Sequence, residues 1–338
     1  MEFDTVNARI DPYYLSLIAT LTDVARAALP RYGLPADSRI RLLSHSENTV
    51  FEIFDPRSAW RGALRIHRPN YQTRNALQSE LDWMAALGDA GIGTPCAVAG
   101  IDGERLQDIA GTPIGPRSVA LFEWIDGDFP DERELEPSMR RLGELSARMH
   151  AQSKQWRRPT YFERFTWDHD DMVGDLARWG RWRAAPGLLP EHIDVLHQTE
   201  RLLRLRLDEF GRTPDRFGLI HADLRIANLL VDGMRTTIID FDDSGIGWFL
   251  HDMASGLSFI EHRADRYRLM DEWAEGYATH GTLSQAERDE FPTFLMQRRL
   301  QLLAWMGSHA ETDLARGLGD AWVAATAELG RNFLNTMG

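Results

Sequence analysis

Apolar residues recur at helical spacing over residues 12–28, where Leu15, Ile18, Leu21 and Val24 with Ala25 fall on one face. The stretch opens at Asp11-Pro12, a capping residue followed by a first-turn proline. From about residue 39 the period shortens to two. Ile40 and Leu42, then Val50, Ile53 and Phe54, predict a hairpin, and Ala63-Leu64-Arg65-Ile66-His67 predicts a third strand that Arg68-Pro69-Asn70 breaks. Helical spacing returns over 73–90 through Leu77, Leu81, Met84 and Leu87, and ends at Gly91-Ile92-Gly93. Strands are predicted at 97–101 and 118–124, with a turn at Asp102-Gly103 between them. Asp126-Gly127-Asp128 closes this half. Beyond it the pattern is helical, with helices expected at 137–152, 168–184, 190–210, 249–261, 264–279, 284–307 and 309–336. The exception is 218–241, where Leu229-Leu230-Val231 and Thr237-Ile238-Ile239 flank the turn Asp232-Gly233. There is no internal repeat. A β-rich half, a short hinge and a helical half with one embedded hairpin predict a two-lobed α+β protein with its site in the cleft.

Composition supports that outline. The 338 residues are about twice the ~150-residue prior for a single domain. An apolar share of 43% with 26% charged residues excludes a disordered chain and allows a real core. No apolar run approaches the ~18 residues of a membrane span, and residues 1–7 carry no signal-peptide pattern. The single cysteine, Cys96, excludes an intramolecular disulfide and a Cys-rich zinc site, and after Thr94-Pro95 it is expected to be a small buried hydrophobe. A cytoplasmic enzyme or binding protein is the expectation. Net charge, 38 − 51 = −13, argues against nucleic-acid binding. It suits a cationic substrate, but solubility explains it equally well. Lys154 is the only lysine, so a mechanism needing a lysine elsewhere must use arginine.

The chemistry concentrates in Leu219-Ile220-His221-Ala222-Asp223-Leu224-Arg225-Ile226-Ala227-Asn228, followed by Ile238-Ile239-Asp240-Phe241-Asp242-Asp243. An Asp and an Asn at the two ends of a tight loop, with a further Asp closing the next strand, can converge on one point. That set suits metal-assisted phosphoryl transfer. Asp223 orients the attacking hydroxyl and accepts its proton, while Asn228 and Asp240 hold Mg²⁺ on the nucleotide phosphates. Asp242 can add a carboxylate to the metal, and Asp243 either meets a cationic substrate or is a solvated turn. Taken one at a time these residues are explained as turn or capping residues. The ordered set between two apolar strands is what points to phosphoryl transfer.

This segment resembles the catalytic loop of the aminoglycoside phosphotransferase-like kinase family, which includes type II homoserine kinases, choline kinases and stress-response kinases. The resemblance covers roughly residues 40–330 and implies the bilobal protein-kinase-like fold, with ATP and Mg²⁺ as cofactors. Its H-x-D-x4-N motif falls on His221, Asp223 and Asn228, and its strand-end Asp on Asp240. His221 is expected to shape the loop. Leu250-His251-Asp252-Met253-Ala254 is similar to a family signature whose Asp braces that loop. In the first half the resemblance places a nucleotide loop at Ser46-Glu47-Asn48, with Ser46 and Asn48 on the nucleotide and no Gly-rich phosphate loop. It puts Arg65 at the position of the phosphate-binding lysine of kinases, with Glu80 as its ion-pair partner. A guanidinium forks onto two oxygens and can hold phosphates; an arginine snorkelling off an edge strand and a solvated helix-face glutamate are the plainer alternatives. Leu121-Phe122-Glu123-Trp124-Ile125 looks like the hinge, where the backbone of Glu123 and Ile125 would meet the adenine edge.

The expected division is residues 1–125 as a nucleotide-binding lobe with a leading helix and 126–338 as a helical lobe with the catalytic loop and substrate site. The expected acceptor is a small-molecule alcohol bearing an amine, such as homoserine or an amino alcohol, because Arg65-Ile66-His67-Arg68-Pro69 resembles the type II homoserine kinase branch. A Ser/Thr protein kinase, an aminoglycoside kinase, a nucleotide-binding pseudokinase and a Mg-dependent phosphoesterase are the alternatives. Neither nucleic acid nor membrane is an expected partner. Trp167-Asp168-His169-Asp170-Asp171 has the composition of a metal or ammonium site, but also that of a helix start with an acidic first turn. Trp305 and His309 share a helix face, and with Arg298 and Arg299 can line a pocket, unless Trp305 is core.

Overall fold

The computed structural model describes residues 12–131, 133–310 and 312–338. The segment 1–7 and the Asp11 cap lie outside them. The chain forms two units: one holds the described residues up to Ala85 together with Pro95–Asp126, the other Ala86–Thr94 together with Gly127–Gly338. Relative to the expected division at 125/126, residues 86–94 group with the second unit. The reason is local: Gly93 bridges to Thr237, and its carbonyl accepts the Ile238 N–H at 2.9 Å.

In the first unit, helix α1 (Pro12–Ala28) precedes strands β1 (Arg39–His45), β2 (Thr49–Asp55) and β3 (Trp60–Ile66), helix α2 (Arg74–Asp89), and strands β4 (Leu106–Ile109) and β5 (Arg117–Glu123). The sheet order is β1-β2-β3-β5-β4, antiparallel throughout. Alternation along the strands sends Phe51, Ile53, Leu64, Ile66, Val119 and Leu121 to one face, where they pack with Leu21, Val24, Ala25 and Ala28 of α1. Arg65, between Leu64 and Ile66, therefore emerges on the other face, over the Phe122 ring. The predicted strand at 97–101 is not formed. Ala97 makes a single bridge to Phe122, and the fifth strand is β4, after the Asp102-Gly103 turn.

The second unit contains, in order, α3 (Leu135–Gln155), β6 (Phe165–Trp167), α4 (His169–Val173), α5 (Pro190–Phe210), β7 (Phe217–Ile220), β8 (Leu229–Asp232), β9 (Arg235–Ile238), β10 (Gly245–Trp248), α6 (Leu250–Gly256), α7 (Arg266–Tyr277), α8 (Gln285–Asp289), α9 (Phe291–Ser308) and α10 (Asp313–Met337). A small sheet runs β6-β10-β7, and β8 pairs with β9 as the predicted hairpin. Helices α3 and α7 cross at two glycines. A Cβ on Gly143 would collide with the Trp273 carbonyl, and one on Gly276 with the Arg140 carbonyl. The core surrounds α9, which is buried on nearly every side.

Three long helices expected from periodicity are broken, the one at 309–336 by a kink at Gly319 (φ +61) within α10. The one at 168–184 stops at Gly174, whose N–H closes onto the Asp170 carbonyl, and only a 3₁₀ turn at Trp182–Ala184 follows. The one at 284–307 is interrupted at Glu290, because Pro292 suits the first turn of a new helix and not the interior of an old one. Among the described residues no helix is long and apolar enough to cross a membrane.

Candidate active site

The loop joining β7 to β8 is held from beneath. The Asp252 carboxylate, at the start of α6, accepts the N–H of His221 (3.2 Å) and of Ala222 (2.8 Å), and the Nε2–H of His150 (2.9 Å). All four residues are buried. Ala222 has φ +68, a left-handed conformation that costs a non-glycine residue about 1–3 kcal/mol. It is fixed there from both sides, since its carbonyl accepts from Ser255 Oγ (3.0 Å) and Arg298 Nη1 (3.3 Å). Burial works to raise the Asp252 pKa, but the hydrogen bonds from His150 and the Ala222 N–H outweigh it and hold the carboxyl below its ordinary value. Burial lowers the pKa of both His150 and His221. Each is accordingly a neutral ring with its proton on Nε2: His150 donates to Asp252, and His221 donates to the Ile239 carbonyl (3.1 Å) while its Nδ1 accepts the Asp223 N–H (3.3 Å).

Asp223 follows the strained peptide. Its Oδ1 accepts from Arg298 Nη2 at 2.5 Å, and its Oδ2 from Arg225 Nε at 3.0 Å and Asn228 Nδ2 at 3.1 Å. Burial favours the neutral acid, yet the charges of Arg225 and Arg298 prevail and hold the carboxyl below the usual carboxylate range. Asn228 also donates Nδ2–H to the Asp223 carbonyl (2.8 Å), so its Oδ1 is the atom left for a cation. Its main chain continues the hairpin: the Ile239 N–H donates to the Asn228 carbonyl (2.9 Å), beside the Leu229–Ile238 pair. Asn228 and Asp240 thus stand at the same end of β8 and β9. Asp240 is exposed with φ +66, and Asp242 is buried two residues on. The turn after Asp240 is gripped by one side chain: Arg164 donates to the carbonyls of Phe241 (3.1 Å), Asp242 (2.5 Å) and Ser244 (2.6 Å), and Trp167 Nε1 to that of Asp243 (2.6 Å).

In the first unit, Arg65 Nη2 lies 2.6 Å from Glu80 Oε1, and both are buried. The helical turn at Glu80 and the strand alternation at Arg65 bring this pair together. Ser46 is exposed at the β1–β2 turn, its N–H bonded to the Asn48 carbonyl (3.1 Å), while Asn48 Oδ1 accepts the Arg68 N–H (3.0 Å). At the predicted hinge one backbone group is already engaged. The Glu123 N–H donates to the Cys96 carbonyl at 2.9 Å, so that donor is taken; Ile125 follows, half-buried.

Other expectations change. Cys96 is exposed rather than buried, because segment 95–101 runs beside β5 by only scattered bonds instead of entering the sheet. The acidic group at 168–171 is a helix start: Asp168 caps α4 by accepting the Asp171 N–H and also pairs with Arg212, while Asp170 pairs with Arg204 and Asp171 with Arg178. Trp305 and His309 stack at 4.9 Å, while Arg298 and Arg299 are buried in ion pairs. Sequence reasoning missed Arg164, Arg225 and His150, and gave Arg298 the wrong place. The one available signal for Arg298 was a polar run, Gln297-Arg298-Arg299, inside an otherwise apolar helix.

Residues 39–292 match the phosphotransferase enzyme family. Amicoumacin kinase of Bacillus subtilis (strain 168) is 25% identical over 289 residues, 82% of either chain. The structure of a microcompartment-associated aminopropanol kinase superposes with a TM-score of 0.86 at 38% identity, covering 94% of this chain and 98% of that one. Amicoumacin kinase hAmiN, in complex with AMP-PNP, Ca²⁺ and Ami, shares the fold with a TM-score of 0.74 at 21% identity over 95% and 96% of the two chains. With that family matched from residue 39 to residue 292 and a relative 38% identical along 94% of its length, the chain belongs to the phosphotransferase enzyme family and is a kinase.

Proposed function

We propose that the protein is a cytoplasmic kinase that moves the γ-phosphoryl group of ATP, with Mg²⁺, onto a hydroxyl of a small amine-bearing metabolite, an amino alcohol or homoserine. The observation that carries this reading is the convergence of Asp223, Asn228 and Asp240 at one end of the β8–β9 hairpin. The aminopropanol kinase, 38% identical, supports an amino alcohol as acceptor.

Asp223 stays ionised at neutral pH and takes the hydroxyl proton as the new O–P bond forms and the bond from the γ-phosphorus to its bridging oxygen breaks. His221 shapes the loop. The residues fit a hard divalent cation: Asn228 Oδ1 and the carboxylates of Asp240 and Asp242 are oxygen donors, and the Asn228 amide is already turned to present its oxygen. Mg²⁺ usually takes only one or two protein carboxylates and would complete its shell with water and substrate phosphates. Held by these residues, a divalent cation would supply charge neutralisation for the transferring phosphoryl group. Arg65, buttressed by Glu80, would grip the α and β phosphates in the lysine's stead. Ser46 and Asn48 would contact the nucleotide, and the Glu123 carbonyl and Ile125 backbone the adenine edge.

A thermal-shift titration with ATP and ADP, with and without Mg²⁺, on wild type and Asp240→Ala tests this. At about 100 times its dissociation constant a nucleotide adds roughly 2.7 kcal/mol of stability. A Mg-dependent rise lost in the variant is the expected result, followed by turnover with amino alcohols or homoserine. No rise with either nucleotide from folded protein would refute the nucleotide site and leave a partner-binding protein.

A further inference from the structure

Helix α9 runs through the core of the second unit, yet Gln297, Arg298, Arg299 and Gln301 on it are all buried. A buried guanidinium is tolerated only when its donors are paired. For Arg299 the pairing is structural: it donates to Glu261 Oε2 (2.7 Å), Thr326 Oγ1 (2.8 Å) and the Trp322 carbonyl (2.8 Å), within the helical core. Arg298 is spent differently. Its Nη2 meets Asp223 Oδ1 at 2.5 Å and its Nη1 the Ala222 carbonyl at 3.3 Å, while Gln301 Oε1 (3.1 Å) and Ser258 Oγ (2.9 Å) accept from Nη1 and Nε. One rigid, planar group therefore spans the left-handed peptide and the carboxylate after it. The opposite oxygen of Asp223 is served by Arg225, whose side chain is 29% exposed against 1% for Arg298.

We propose that Arg298 is a positioning residue for phosphoryl transfer, which fixes the orientation of the Asp223 carboxylate from the protein core by holding Asp223 Oδ1 and the Ala222 carbonyl at once. The inference rests on the reading of Asp223 as the acceptor of the hydroxyl proton. The loop on its own favours relaxation of Ala222 out of the left-handed region, and that relaxation swings Asp223 away. Displacement of a reacting group by about 1 Å costs on the order of 100-fold in rate. A lysine at 298 carries the charge but lacks the fork that reaches both partners.

The test compares wild type, Arg298→Met, Arg298→Lys, Asp223→Asn and the double variant Arg298→Met with Asp223→Asn. The readouts are kcat, KM for each substrate and the Mg-nucleotide thermal shift. Arg298→Met is expected to lower kcat about 100-fold with the KM for nucleotide and the thermal shift retained, and Arg298→Lys to recover part of the loss. In the Asp223→Asn background Arg298→Met is expected to add nothing, because both changes remove one function. A kcat for folded Arg298→Met close to wild type, or losses that multiply in the double variant, would overturn the inference. If Arg298→Met does not fold, the paired change Ser258→Ala and Gln301→Leu loosens the guanidinium while keeping it. That pair is expected to lower kcat in the same way, and an unaltered kcat overturns the inference. Full activity of Asp223→Asn would instead sink the reading of Asp223 on which it rests.

Discussion

Replacing Asp252 by alanine removes the acceptor for three buried donors at once: the N–H groups of His221 and Ala222 and the Nε2–H of His150. Each buried donor left without a partner costs about 1–3 kcal/mol, and some relaxation or water entry is expected, so the sum is roughly 3–6 kcal/mol. That is a large share of the roughly 5–15 kcal/mol that holds a typical protein folded. Urea denaturation should register it as a lower midpoint at an unchanged slope. Asp252→Asn is the milder probe, since it keeps one acceptor oxygen but turns an NH₂ toward a donor. Its pH dependence has a definite sign. The native pKa of Asp252 is depressed, so the carboxylate contributes stability above its ordinary value near 3.9, and that contribution is lost as the pH falls through the native value. The gap between wild type and Asp252→Asn should therefore be widest near pH 7 and narrow toward pH 3. Stability of Asp252→Ala within about 0.5 kcal/mol of wild type, the range of an uninvolved surface change, would refute the reasoning.

Burial pushes His169 down to about 4, and neither ring nitrogen has a hydrogen-bond partner; the unfolded chain, titrating near 6.5, binds the extra proton in between, so stability must rise with pH across that window. The full shift is worth about 3 kcal/mol, of which about 2 kcal/mol falls between pH 7.5 and pH 5, and His169→Phe should remove about that much from the difference in unfolding free energy by urea at the two pH values; an unchanged difference excludes this source. Gly276→Ala drives a methyl group into the Arg140 carbonyl and forces α3 and α7 apart, an overpacking cost of about 1–3 kcal/mol that should appear as a melting temperature several degrees lower. An unshifted melting curve would mean that the crossing yields freely.

What could be read from the sequence follows from how local the cause is. Helix α1 covers the predicted span, because its stripe and its opening proline are local signals. Helix α5 likewise begins at Pro190 and ends before Gly211. The loop 221–228 could be placed between two strands because its signals lie along one stretch of chain, and it joins β7 to β8. The strand at 97–101 failed because Val98 and Ile101 are β-type residues three apart, on opposite faces of a strand, and Pro95 and Gly100 flank or interrupt the run, so the strand that forms instead is only Leu106–Ile109. Strand β10 was invisible: Gly245-Ile246-Gly247-Trp248 has two glycines in four residues, a composition depleted in strands. The partners of the site were beyond reach for another reason. Arg298 meets Asp223 across 75 residues and Arg164 meets Ser244 across 80, and nothing in either neighbourhood says which carboxylate or carbonyl a buried arginine will find.

The enclosure of α9 also bears on how such an enzyme changes over evolutionary time. Amides in a helix enclosed by the core exchange with solvent only when the whole unit opens, so the guanidinium that grips Asp223 should stay ordered until global unfolding. A substitution at 298 strikes the core and the proposed chemistry together, whereas one at 299 strikes the core alone. Divergence toward new acceptors is thereby channelled away from α9 and into the loops around it, where a change of side chain leaves the anchoring of Asp223 untouched.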